Sequence, residues 1–139
     1  MVSEENKAIM RRLYEKINNG DVDIIDEVYA PDAIYHGTGM MANADRETFK
    51  QFVKTVIEAF PDSNFMIDDL LADADKVIYR NTFTGTQKGE MMGIPATGKQ
   101  VSVRTIGIAR ISGGKIVEEW ENMDEMGIMR QLGVIEAPG

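Results

Sequence analysis

Near the end of the chain the stretch "EEWENMDEM" sets carboxylates and an amide around the only tryptophan. Read as a strand, it alternates. Glu118, Trp120, Asn122 and Asp124 share one face, and Glu119, Glu121 and Met123 share the other. Trp is costly to leave in water, so the Trp face is expected to turn inward. A carboxylate held beside an aromatic wall loses hydration. Its pKa rises, and it can exchange protons near neutrality. On this reading Asp124 is the candidate acid/base, with Glu118, Trp120 and Asn122 lining its pocket. A competing reading makes Asp124 the N-cap of a helix over "EMGIM". The two roles are compatible.

Other side chains could join this chemistry. His36, the only histidine, has an unperturbed pKa near neutrality and could act with Asp124 across the pocket mouth. The alternative is an ordinary surface or core histidine. Arg80 alternates with Thr82, Thr84 and Thr86, opposite Tyr79, Asn81, Phe83 and Gly85. Turned inward, Arg80 needs a carboxylate such as Glu118, because an unpaired buried charge is expensive. Turned outward, it is a solvated sheet arginine, the simpler reading, and the same holds for Arg104 and Arg110. Met40, Met41, Met91 and Met92 flank two loops. Flexible methionines suit a lid over an irregular apolar ligand, though loop packing or a dimer contact would also use them. "GIPATG" reads as a tight turn and lacks the ending and context of a phosphate loop.

The elements that must position these residues show in the periodicity. Ser3 is a candidate cap for a helix with Ile9, Leu13 and Ile17 on one stripe. Asp21 would cap a short helix in "DVDIIDEVY", and Pro31 would end it before a strand "AIYHG". "DRETFKQFVKTVIEAF" places Phe49, Phe52, Val53, Val56, Ile57 and Phe60 on one broad face. The period then falls to two. "NFMIDDLLAD", "KVIYRNTFTGTQKG", "QVSVRTIGIARI" and "KIVEEWENMD" are strands, with hairpins at Asp73–Asp75 and "SGG", and "EMGIMRQLG" is a last helix. Helices first and antiparallel strands after imply an α+β fold, helices packed on one face of a curved sheet.

Composition narrows the function classes. The 139 residues suit one domain, and 43% hydrophobic with 27% charged content is ordinary for a globular protein. A formal charge of −8 argues against a nucleic-acid partner. Without cysteine and with one histidine, thiolate chemistry and a multi-histidine metal site are excluded within the chain. No apolar run resembles a signal or a bilayer span, so a cytoplasmic protein without membrane partners is expected.

The segments "FPD" at 60–62, "GTQKGEMMGIPATGKQV" at 85–101 and "GGKIVEEWENMDEMGIMRQLG" at 113–133 carry a resemblance. With the opening "NNGDVDIIDEVYAPDAIYHG", the chain resembles the SnoaL-like polyketide cyclase family over nearly its whole length. The resemblance implies a cone-shaped α+β barrel of the nuclear transport factor-like, or cystatin-like, type. It also implies cofactor-free aldol ring closure on a small hydrophobic ligand, an acid/base at Asp124, and a homodimer through the convex sheet face. Many members carry His where this chain has Gln87, which can hydrogen-bond a carbonyl or enol but not transfer protons near neutrality. Besides cyclisation or isomerisation, two readings stay open. One is an epoxide-type hydrolase using Arg80, Glu118 and Asp124. The other is a non-catalytic binding protein in which Gln87 and Asn122 orient the ligand.

Overall fold

A computed structural model describes residues 2–136, apart from the side chain of Met40. Helix α1 (Val2–Asn18) turns Met10, Leu13 and Ile17 to the core. The short α2 (Ile24–Val28) leads directly into β1 (Tyr29–His36). A 3₁₀ turn (Gly39–Met41) and the two-residue β2 (Ala44–Asp45) precede α3 (Arg46–Ala59). Four long strands follow: β3 (Asn64–Asp73), β4 (Lys76–Thr86), β5 (Gln100–Ser112) and β6 (Lys115–Met123). Helix α4 (Glu125–Gln131) comes last.

The expected α+β architecture is present. Six strands form one open, curled sheet in the order β2-β1-β6-β5-β4-β3. All neighbours are antiparallel except β1 and β6. The β5–β6 hairpin turns through Gly113 and Gly114, whose φ values of 59° and 78° favour glycine and suit the twist of the strands. Helices α1 and α3 cover the concave face, α1 against β3 and β4 and α3 against β1.

Local details depart from the sequence reading. Ser3 lies inside α1, and α2 starts after Asp23, which makes no side-chain cap bond. Strand β1 begins at Tyr29 and runs through Pro31. The proline is tolerated because pairing with β6 is interrupted between Tyr29 and Ile34. Asp45 caps α3 by accepting from Thr48 N. On α3, Phe49, Val53 and Val56 are buried, whereas Phe52 is half-buried and faces a cavity.

One irregularity decides which groups enter the cone. Ile111 pairs with Ile116, but Arg110 pairs with Glu118, so β6 carries Val117 as an extra residue. This β-bulge shifts the phase of alternation. Ile116 is buried, yet the next inward side chains are Glu119 and Glu121, and Glu118 and Trp120 turn out.

Candidate active site

The cavity lies between the sheet's concave face, α1, α3 and α4, and all five phenylalanines of the chain border it. Its inner sheet wall is built in rows. Val77, Ala109 and Glu119 lie deepest; Tyr79, Gly107 and Glu121 follow; then Asn81, Thr105 and Met123; then Phe83 and Val103. The rim is formed by Met91, Met92 and Ile94 of the 88–99 loop and by Glu125, Ile128 and Met129 of α4.

All four tyrosines of the chain gather around Glu119 and Glu121. Tyr29 donates to Glu119 Oε1 at 2.5 Å, and Tyr35 donates to Glu121 Oε1 at 2.5 Å. The Tyr79 phenol oxygen lies 2.5 Å from Glu119 Oε2 and 2.7 Å from Glu121 Oε2. Tyr14 stands edge-on to Tyr79, with ring centroids 6.3 Å apart. Gly107 makes the bridge feasible, since a Cβ there would overlap the Tyr79 phenol oxygen.

Hydrogen counting bears on the charge of this pair. Four short oxygen–oxygen contacts are best served by four hydrogens, and Tyr29, Tyr35 and Tyr79 bring one each. A carboxyl proton donated to the Tyr79 oxygen would supply the fourth, which corresponds to one proton and one negative charge on the pair. Electrostatics point the same way. Burial, and then repulsion from Glu121, push Glu119 up to about 8, and burial raises Glu121 as well. The buried phenols of Tyr29, Tyr35 and Tyr79 are raised by desolvation and by the two carboxylates, so they stay protonated donors. Among the described residues no Lys, Arg or His borders the cavity. Two neighbouring buried carboxyls, one protonated and one ionised, are an acid and a base side by side.

The residues singled out from the sequence are placed differently. Asp124 is exposed and does not border the cavity. It folds over the first turn of α4, where its Oδ1 accepts from Gly127 N at 2.9 Å. The capping role is therefore the one its geometry serves. Trp120 and Asn122 are exposed on the convex face, and Trp120 stacks on His36 with centroids 5.5 Å apart. That stacking shelters one side of the indole, so 37% exposure is tolerated. His36 Nε2 lies 2.7 Å from Glu118 Oε2 on the same outer face, away from the cavity, and its ring makes no hydrogen bond to Asp124. The hydrogen bond with His36, aided by Arg110 at 3.2 Å, holds the Glu118 carboxyl below its usual range. Arg80 also points outward and pairs with Asp69 at 2.7 Å, not with Glu118. The three groups of the epoxide-hydrolase reading therefore do not meet.

Gln87 is fully buried but does not border the cavity. Its amide donates to Ile94 O at 3.1 Å and accepts from Thr97 Oγ1 at 2.8 Å, holding the 88–99 loop from behind. With Asn122 outside as well, neither residue can orient a ligand in the cone. Met91 and Met92 border the cavity, and the side chain of Met40 lies outside the described residues. Among the described residues no cluster of His, Asp and Glu could hold a metal ion, and no helix is long and apolar enough to cross a membrane.

The site's acids, Glu119 and Glu121, lie on the strand face opposite Trp120, which the hydrophobicity of Trp alone does not turn inward. A signal for them existed. Met123 is apolar and shares their face, and inward-reading Tyr79 and Asn81 needed polar company.

Comparison with known proteins agrees with this architecture. The family model for the SnoaL-like polyketide cyclases matches residues 7–132. The aklanonic acid methyl ester cyclase DauD of Streptomyces sp. strain C5 is 28% identical over 131 residues, covering 90% of this chain and 80% of that protein. Among solved structures, AclR from Streptomyces galilaeus superposes with a TM-score of 0.86 at 26% identity, covering 96% of this chain and 98% of that one. IdmH from Streptomyces antibioticus gives 0.81 at 30% identity, covering 92% and 98%.

Proposed function

Because this chain belongs to the SnoaL-like polyketide cyclase family, we propose that it closes rings by acid/base chemistry at Glu119 and Glu121. The observation that supports the reading is the four-contact network, which one proton shared between the two inward carboxyls would complete. The ionised carboxylate takes a proton from the carbon beside a carbonyl, and the electron pair of that C–H bond forms an enolate. The enolate carbon attacks a second carbonyl carbon of the same molecule, making a C–C bond. The oxygen of that carbonyl takes the proton of the neutral carboxyl. No atom is lost, so the product is an isomer of the substrate, and Tyr79 links the two carboxyls so that the proton can return.

The cavity suits an apolar and uncharged ligand. Its wall holds phenylalanines and methionines, and among its described residues the charges are all of one sign. A ligand carboxylate would face Glu119, Glu121 and Glu125 with no cation to offset them, so an esterified carbonyl compound is favoured. The substrate in the name of the Streptomyces sp. strain C5 relative is such an ester.

Aklanonic acid methyl ester is therefore the first compound to assay, with conversion to an isomer of equal mass followed by chromatography and mass spectrometry. Glu121→Gln keeps the shape and removes the proton-transferring group. It should cost roughly 10²–10⁴ in rate, the range for general acid–base catalysis. Unchanged turnover in both Glu121→Gln and Glu119→Gln would remove the assignment.

A further inference from the structure

The acid pair leaves one row of the inner sheet wall unexplained. One ladder step toward the rim, Asn81 and Thr105 are paired across β4 and β5, just below Phe83 and Val103. They put an amide and a hydroxyl where apolar side chains would pack more cheaply. Asn81 is 3% exposed and Thr105 5% exposed, and both border the cavity. Tyr14 reaches the same spot from α1, with its phenol oxygen 2.5 Å from Asn81 Nδ2.

These three groups carry more donors than they use. Among the described residues the contact with Tyr14 is the only hydrogen bond of the Asn81 side chain, and the Thr105 hydroxyl makes none. No fully enclosed side-chain polar atom among the described residues lacks a partner, so the spare atoms of Asn81 and Thr105 open onto the cavity. An amide and a phenol together hold three donor hydrogens. Their mutual contact consumes one, whichever way round the amide lies. Two remain, and the Thr105 hydroxyl adds another.

We propose that Tyr14, Asn81 and Thr105 form a cradle for the carbonyl oxygen of the ligand. In the cradle they hold the negative charge that develops on that oxygen when the acid pair removes the neighbouring proton. The proposal rests on the acid/base reading above and gives it a place for the charge. The proton goes to the carboxylate, and the C–H electron pair becomes the enolate, with its charge shared onto the cradled oxygen. Donors fixed in a site walled by Phe65, Phe83 and Val101 act at low dielectric and need no reorganisation as the charge appears. The site also sorts ligands. It binds acceptors, and a protonated amine, which has no lone pair to offer, leaves its donors unpaired.

The test uses 2-acetylnaphthalene labelled with ¹³C at the carbonyl, a neutral aromatic ketone that cannot cyclise. Two signals are read on the intact protein: the C=O stretch of the bound ketone, and deuterium uptake from heavy water at its methyl group. The cradle predicts a stretch shifted down from its position in an apolar solvent. Tyr14→Phe and Thr105→Val should each lessen the shift, weaken binding about 3- to 10-fold, and slow deuterium uptake about 10²-fold. Glu121→Gln should keep the shifted stretch and lose the uptake. A stretch that Tyr14→Phe and Thr105→Val leave unmoved overturns the cradle, even if Glu121→Gln still abolishes uptake. So does a lack of saturable binding. A stretch that moves in the cradle variants while uptake ignores both glutamate variants supports the cradle and removes the acid/base reading.

Discussion

Replacing Glu119 by Gln should make the protein more stable at alkaline pH. Glu119 is 3% exposed, and burial beside Glu121 raises its carboxyl from 4.5 to about 8. Below about pH 4.5 the folded and unfolded chains both hold this proton. Between 4.5 and 8 only the folded chain does, so unfolding releases a proton and stability falls as pH rises. Above 8 neither state holds it, and the slope vanishes. The interval spans about 3.5 pH decades at about 1.4 kcal/mol each, giving on the order of 5 kcal/mol from this group. That is a large part of a typical domain's stability. Gln cannot ionise, keeps one acceptor for Tyr29 or Tyr79, and relieves Glu121 of its neighbour's charge. Urea unfolding from pH 5 to pH 9 measures the effect. Wild-type midpoints should fall steadily toward pH 8, and the variant's should fall by less than half as much, with similar m-values. Parallel pH profiles for the two proteins would refute the shared-proton account of the pair.

Other expectations follow from the outer face and from α4. Asp124→Asn should change stability by less than about 0.5 kcal/mol and leave turnover intact, because Asn caps a helix about as well as Asp; a large rate loss would return Asp124 to the chemistry. We also propose that a second copy covers the convex sheet face, where Ile34, Ile106 and Trp120 are exposed beside Arg110 and Glu118. Sedimentation should find a dimer at micromolar concentration and a monomer for Trp120→Glu, and a wild-type monomer would end that proposal.

The fold was legible because its cues are local. The stripe Phe49, Val53 and Val56, the change of period after Pro61 and the Gly113–Gly114 turn each declare an element within a few residues. The site was less legible because its deciding facts are not local. Alternation correctly separated Trp120 from Glu121 but could not say which face is concave. Trp hydrophobicity pointed the wrong way because His36, far off in sequence, supplies its stacking partner. Burying Glu119 looks prohibitive until Tyr29 and Tyr79 arrive from β1 and β4 to satisfy it. Met91 and Met92 border the cavity from the loop between β4 and β5, and two adjacent methionines in a loop already ask for an apolar partner.

The extra residue Val117 has an implication for how such proteins diverge. Ile111 with Ile116 and Arg110 with Glu118 stay partners whether or not Val117 stands between them, so excising it would close the bulge and leave Glu119 and Glu121 facing the cone. Absorbing Val117 into the ladder, with every later pair slipped by one residue, would instead evert the strand. Glu119 and Glu121 would go to solvent, and the Trp120 face would enter the cone. Such a slip exchanges an acidic interior for an aromatic one without changing a letter of the gene. Within this architecture, a change of register in the last strand is therefore a faster route to a new chamber than replacing its lining residue by residue.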